Sequence, residues 1–490
     1  MAGKHGFSAI YERQEQVNYG RSSVANEGRH HMSKAEGYRP KDQNKAMNQM
    51  LEENIRDEIA ERYKHDPTYR ATMNGNEPSR GAKADAEILR EEEEMLRKKK
   101  DKSNGAGIQI TPNASRILQR WALSPQLWAS GSEQTYCKFH RYSGGLLATH
   151  RDFHTLMRAN HGAPYLALHR VDLQTALHAR AASLGVGFRF GTRIRRVDFE
   201  TGELVSEDGE AVRGDLVVAA DGLWSACRAQ FLPKDFEGVP RPTGDLAYRV
   251  VLTLDQIRDP ELRDWVSKPS INIWIGHNSH VVGYSLRNGT EFNLVLITPD
   301  DLPDDVRRAA GSAEEMRALF KNWDPVLNRF LAVVESVKKW KLMHRKEMRR
   351  WIHDSPNSHF VFVGDSCHPM LPYLGQGANS AIEDGAVLGR LLGHIKSKEQ
   401  IGKALSMYEQ LRKPRGDAIV KATDGQRADV HMADGPAQRA RDELLLSQLD
   451  SDVKKDPFPI RWCSPGLQSW IFSYDACAEV DKAVMNDPFI

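Results

Sequence analysis

The sequence predicts an α/β fold joined to a region of longer alternating strands and a helical C-terminal end. Three observations predict it. First, Phe360-Val361-Phe362-Val363 is a short apolar run closed by Gly364-Asp365, followed by a polar turn and by Gly375-Gln376-Gly377-Ala378-Asn379. Apolar residues then recur at helical spacing: Ala381, Ile382, Ala386, Val387, Leu388, Leu391 and Leu392. This reads as strand, loop, glycine turn and helix. Second, Leu216-Val217-Val218-Ala219-Ala220 is a continuous apolar run, the pattern of a parallel strand buried on both faces. Third, from about Phe236 to Met348 the pattern shifts to longer alternating strands, 245–254, 271–289 and 292–298.

Composition narrows the class. The 490 residues suffice for two to three domains. Lys plus Arg number 68 against 66 Asp plus Glu, so no net field recruits nucleic acid or an anionic membrane. The five cysteines are scattered without a C-x-x-C pair, which argues against a disulfide framework and against structural zinc. No run of 18 apolar residues occurs, so no transmembrane span is predicted, and the opening MAGKHGFSAIYERQ lacks a signal-peptide core. A cytoplasmic protein is expected.

The central stretch, G-D-x-x-H-P-x-x-P-x-x-G-Q-G-A-N followed by A-I-E-D-x-x-x-L, resembles the second flavin-binding motif of FAD-dependent aromatic monooxygenases. Salicylate and 6-hydroxynicotinate hydroxylases are the relatives it most resembles. The resemblance implies that Asp365 bonds the ribityl chain. It also implies that the glycine-turn amides, Gly375 through Gly377, Ala378 and Asn379, face the pyrimidine edge of the isoalloxazine. A helix N-terminus suits that role, because its free N–H groups and positive dipole end favour the negative charge of reduced flavin. The implied fold is a Rossmann-like, glutathione-reductase-type FAD-binding domain with a mixed-sheet substrate domain and C-terminal helices.

The remaining elements follow in order. GFSAIYER (6–13) reads as a strand ending in Glu12, where a dinucleotide-binding fold places the acid that bonds the adenosine ribose. The preceding strand and G-x-G-x-x-G turn are not seen, so the domain is expected to be truncated at its first βα unit. Residues 15–104 are charged and poor in apolar residues; they read as an insertion, disordered or carrying long exposed helices. A gene-model fault is one origin for this arrangement. At Gly105 the family pattern resumes with GAGIQITPN, which is similar to the turn beside the flavin and includes Gly107. Asn113 is expected to cap a helix over 114–122 with Ile117, Leu118 and Trp121 as its apolar stripe. H-R-x-D-L then matches the element that brings an arginine, Arg170, near the FAD.

Asp208-Gly209 marks a hairpin. Asp221-Gly222-x-x-Ser225-x-x-Arg228 resembles the motif lying beside the FAD pyrophosphate and the nicotinamide approach. In the longer strands, Arg249 and Tyr284 match residues that fungal phenol hydroxylases use over the substrate, and His280 matches a histidine of the 6-hydroxynicotinate enzymes. Positions 280 and 284 share one face of a strand, so both can line one pocket. Residues 303–348 read as helical, with Trp340 and Trp351 in the core, and 404–434 as a long helix.

The domain reading is therefore 1–14 (remnant of the FAD-binding domain), 15–104 (insertion), 105–235 (FAD-binding), 236–350 (substrate sheet), 351–395 (FAD-binding) and 396–490 (helical). The implied activity is hydroxylation of a phenolic or hydroxypyridine carboxylate by O2 through a flavin C4a-hydroperoxide, with NAD(P)H as co-substrate and FAD as cofactor. Arg249, Tyr284 and His280 are its candidate catalytic residues. The absent phosphate turn supports a second reading, a binding protein or non-catalytic remnant with impaired FAD binding.

Overall fold

The computed structural model describes residues 106–232, 239–451 and 454–489. Glu12, the 6–13 strand and the 15–104 insertion lie outside the described residues.

The chain enters through β1 (Gly107–Ile110) and α1 (Pro112–Arg120). Pro112 sits in the first turn, where its missing N–H costs nothing, and Thr111 takes the N-cap position. Asn113 is thus inside the helix rather than its cap. Ile117 and Leu118 are fully buried, as the stripe predicts. Next come α2 (Pro125–Ser130), β2 (Ser132–Glu133), β3 (Tyr136–Arg141), β4 (Leu146–His150) and α3 (Phe153–His161). The strand β5 (Leu166–His169) runs directly into α4 (Arg170–Ser183), whose cap is the His169 ring accepting from the Val171 amide.

A meander follows: β6 (Ile194–Asp198), β7 (Glu203–Ser206) and β8 (Ala211–Arg213), with Gly209 at φ +87° in the predicted hairpin turn. The apolar run becomes β9 (Leu216–Ala219), leading to α5 (Ala226–Phe231). β9 pairs in parallel with the later strand 358–362. Yet Val218 is 44% exposed, so burial on both faces does not hold among the described residues.

The large sheet is built next from β10 (Arg241–Thr253), then, after α6 (Pro260–Ser267), β11 (Ser270–Gly276), β12 (Ser279–Leu286) and β13 (Glu291–Pro299). The predicted single stretch 271–289 is a hairpin, turning at Asn278 with φ +51°. Residues 303–348 are not chiefly helical. They form β14 (Arg308–Gly311), two short helices α7 (Ala313–Leu319) and α8 (Pro325–Ala332), and β15 (Val337–His344). The strand order is β14-β15-β10-β13-β12-β11-β3-β4, eight strands in all. One face of this sheet packs on α6, α7 and α8 through Leu294, Leu296, Trp274 and Phe330. The other carries the site.

β16 (Ile352–Ser355) and β17 (Ser358–Phe362) join β9 in a small sheet, after which the central motif turns into α9 (Gly377–His394). The predicted long helix is α10 (Ile401–Val430), followed by α11 (Pro436–Leu446), α12 (Pro465–Phe472) and α13 (Ala476–Asn486). Val387, Leu391, Leu405 and Tyr408 knit α9 and α10 to Val361 and Phe362 of β17 in one core, with Trp351 fully buried beside them. No described helix is long and apolar enough to cross a membrane.

Candidate active site

Two surfaces meet at the site: the start of α9 and the free face of the large sheet. The α9 start comes first. Gly375 adopts φ +63°, a left-handed conformation that only glycine enters without cost, and this reverses the chain into the helix. No side chain caps the first turn of α9, so its leading N–H groups are available to an anion or a carbonyl. A Cβ built on Gly377 would lie 3.9 Å from the Asp365 carboxylate and 3.8 Å from Met370. Asp365 therefore stands beside the helix start. Its side chain is exposed. The surrounding protein nevertheless pushes it above the ordinary range, opposed by His368 and Arg170 and assisted by Asp384.

This loop is held by charges that are wholly buried. Asp384 accepts from the Gly364 amide (2.8 Å), from His368 Nε2 (2.5 Å) and from Arg412 Nε (2.7 Å). Its neighbour Glu383 pairs with Arg412 (2.6 Å) and Arg415 (2.9 Å) and accepts from Asn113 (2.6 Å). Burial disfavours these charges, but His368 and Arg412 hold Asp384 well below the usual carboxylate range. Asp384 in turn raises His368 against its own burial. The short His368–Asp384 contact, buried on both sides, fixes the loop. Sequence reading quoted Glu383 and Asp384 within a motif without seeing this function.

Several predicted cofactor residues serve the same scaffold. Asn379 is fully buried, donating to the carbonyls of Gln109 and Gly375 and accepting from the Thr111 amide. Both ends of its carboxamide are thus used to lock β1 to α9. Arg228 is also fully buried, donating to the carbonyls of Ser366 (3.3 Å) and Lys346. Burial and Arg345 lower it to about 10, partly offset by Cys367, so it remains a cation at neutral pH. Asp221 is exposed and accepts from the Cys227 amide, while Gly222 at φ +74° has open space around it.

The sheet face supplies the second surface. Cross-strand register puts Arg249 opposite Val295, Val295 opposite Val282, and Asn293 opposite Tyr284, so these residues share one face. β1 lies against that face. A Cβ on Gly107 would fall 2.6 Å from the Tyr284 ring and hydroxyl, and the Gly107 amide donates to Asn293 Oδ1 at 2.8 Å. The Arg249 side chain makes no hydrogen bond among the described residues; its Nε is buried without an acceptor, and the Trp340 ring centre lies 5.3 Å from its guanidinium carbon. Trp340 is therefore a half-buried wall of the site rather than core. Burial, and repulsion by Arg170 and Arg308, lower Arg249, while Tyr284 favours its charge. Burial raises the Tyr284 phenol, and Arg249 and Arg170 oppose that shift. Among the described residues, no carboxylate is hydrogen-bonded or ion-paired to either side chain.

Arg170, exposed at the start of α4, acts electrostatically on Arg249, Tyr284 and Asp365, so it links the two surfaces. His280 shares the strand face but belongs to another cluster. Its Nδ1 contacts His431 Nε2 at 2.7 Å and its ring packs 5.4 Å from Tyr373. The Tyr373 hydroxyl donates to Asp245, which also accepts from Arg427.

A bare helix start beside a carboxylate, with a glycine lining, fits the ribityl chain and pyrimidine edge of a flavin. The family model described as an FAD binding domain matches residues 94–423. The chain is also 46% identical, over 78% of its length and 89% of the relative's, to the FAD-dependent monooxygenase OpS4 of Beauveria bassiana. The chain belongs to this family: it is an FAD-dependent aromatic monooxygenase. The 3-hydroxybenzoate 6-hydroxylase of Polaromonas naphthalenivorans is 29% identical to the monooxygenase over 69% of this chain and 82% of that one. Among solved structures, CtdE in complex with FAD and substrate shares its fold at a TM-score of 0.64 and 21% identity, covering 78% of this chain and 89% of CtdE. A salicylate hydroxylase substrate complex does so at 0.61 and 20%, covering 77% and 90%. FAD is thus the cofactor of the monooxygenase.

Proposed function

We propose that this monooxygenase hydroxylates a phenolic or hydroxypyridine aromatic acid, using NAD(P)H and O2. The observation that carries the reading is Arg249: a guanidinium on the sheet face, beside Tyr284, whose Nε has no acceptor among the described residues. A half-buried guanidinium without a counter-charge among the described residues is costly, and a substrate carboxylate or phenolate supplies one through charge-assisted bonds. The hydroxybenzoate named for the Polaromonas relative and the salicylate hydroxylase fold agree with that substrate class. FAD, when bound, supplies the redox chemistry that activates O2 and delivers one oxygen atom to the ring.

The chain's own residues do the rest. The α9 amides would favour negative charge on the pyrimidine edge, and Asp365 would tether the ribityl chain. Arg249 orients the anionic substrate against Tyr284, whose burial keeps its phenol protonated and able to donate to a substrate oxygen. The apolar residues Val282 and Val295 limit the water that reaches the ring.

The test is direct. Purified protein, reconstituted with FAD, is incubated with NADH or NADPH over a panel of hydroxybenzoates and hydroxypyridine carboxylates while oxygen uptake and product are followed. Substrate-dependent oxygen uptake coupled to a hydroxylated product is expected. Arg249→Met should lower kcat/KM for the acid by about 100-fold, equivalent to ~2.7 kcal/mol. A wild-type protein that holds FAD and turns over none of the panel, or an Arg249→Met variant with unchanged kcat/KM, refutes the reading.

A further inference from the structure

Asn293 was not singled out by sequence, and the fold gives it a defined orientation. It is fully buried in β13, directly opposite Tyr284 and one residue pair from Arg249 on the same sheet face. A backbone N–H can only donate, so the bond from Gly107 fixes Oδ1 toward β1 and leaves Nδ2 on the other side of the carboxamide. Nδ2 is buried and has no acceptor among the described residues. Buried polar groups are nearly always paired, so an orphan in a site asks for a ligand atom.

It is not alone. Gln109 follows Gly107 by two residues in β1, so its side chain leaves the strand on the side where a Cβ on Gly107 would meet Tyr284. Gln109 Nε2 is likewise buried without an acceptor, as is Arg249 Nε. The three orphans are all donors. Among the described residues no carboxylate is hydrogen-bonded or ion-paired to Arg249 or Tyr284, and Arg170 adds positive charge. An array of donors without acceptors selects a ligand whose edge carries acceptors only.

We propose that Asn293 is a substrate-positioning residue, its Nδ2 donating to a carboxylate oxygen of the aromatic acid that Arg249 neutralises. This rests on the aromatic-acid reading above and deepens it. Arg249 supplies charge, while Asn293 supplies direction, because its amide plane is set by Gly107. The consequence is selectivity for a carboxylate over the matching carboxamide, whose NH2 group meets another donor.

The experiment measures equilibrium dialysis of salicylate and salicylamide against the FAD-loaded protein, with hydroxypyridine carboxylates and their amides as a parallel pair. Wild-type protein should prefer the acid. Asn293→Asp keeps an oxygen for the Gly107 amide but replaces the donor with an acceptor. It should weaken acid binding at least ~10-fold while leaving or improving amide binding, so that the acid-to-amide ratio falls. Asn293→Ser gives the same comparison in a neutral, smaller variant if the charged one does not fold. A ratio unchanged in both variants overturns the proposal while leaving the function standing. Loss of FAD with the ratio preserved overturns it too, by assigning the residue to the cofactor. A wild-type protein that holds FAD but binds no member of either pair refutes the aromatic-acid reading and this inference with it.

Discussion

Gly107→Ala is the smallest change that should reach the site. Gly107 has no positive φ, so its backbone suits any residue, and the effect comes from contact alone. The added methyl would sit 2.6 Å from Tyr284 Cε2 and from its hydroxyl, and 2.8 Å from Cζ. Carbon atoms settle at about 3.5–4.0 Å, so the ring or β1 has to give way by ~1 Å. Overpacking of this kind costs about 1–3 kcal/mol. A displacement of ~1 Å in a substrate-lining ring costs about 100-fold in rate. The assay is a double-mutant cycle: urea unfolding and kcat/KM for wild type, Gly107→Ala, Tyr284→Ala and the double variant. Truncating Tyr284 removes the obstacle, so Gly107→Ala should be nearly free in stability in that background. The coupling should amount to ~1–3 kcal/mol. An equal penalty in both backgrounds refutes the close approach of β1 to the sheet.

Two further outcomes concern the scaffold. Asp384→Asn removes the charge between His368 and Arg412, both fully buried, and should cost about 3–5 kcal/mol in urea unfolding; a midpoint within experimental scatter of wild type contradicts the account of the loop. His431 is held down to about 4 by burial, with Asp245 opposing and Arg427 assisting, whereas an unfolded histidine titrates near 6.5. Protons therefore favour the unfolded chain. The contribution is full above pH ~6.5 and is lost as pH falls toward ~4, on the order of 3 kcal/mol. His431→Gln should flatten the thermal-stability profile across that window, and an unaltered profile would exclude the histidine pair as its source.

Much of the architecture was legible because the signals are local. The Phe360–Val363 run, the paired glycines and the helical spacing after them give β17, the turn and α9 almost as drawn. Asp208-Gly209 gives its hairpin. What was not legible depends on distant partners. Asn113 looks like a cap because caps are chosen locally. Its partners Gln376 and Glu383 lie more than 260 residues away, and Pro112 moves the helix start back past it. Arg228 and Asn379 also make hydrogen bonds to backbone brought close only by the fold, a part that no local motif displays. Trp340 was read as core because an aromatic in an apolar stretch usually is; its wall position follows from the register of β15 on β10. Asn293 did leave a trace: it is the single carboxamide in FNLVLIT, a run otherwise fit for burial. A polar side chain there needs a reason, and register with Tyr284 supplies the place to look.

The knot of Asn113, His368, Glu383, Asp384, Arg412 and Arg415 draws its members from α1, the motif loop, α9 and α10. Such a knot constrains how relatives can diverge and how chimeras can be built. A graft that imports the glycine loop without its distant arginines would strand two acids in the interior, so exchange of this cradle between homologues should succeed only as a set. Around Arg249 the sheet face carries no such web of buried charges among the described residues, and retargeting to new ring substitution patterns is best sought there.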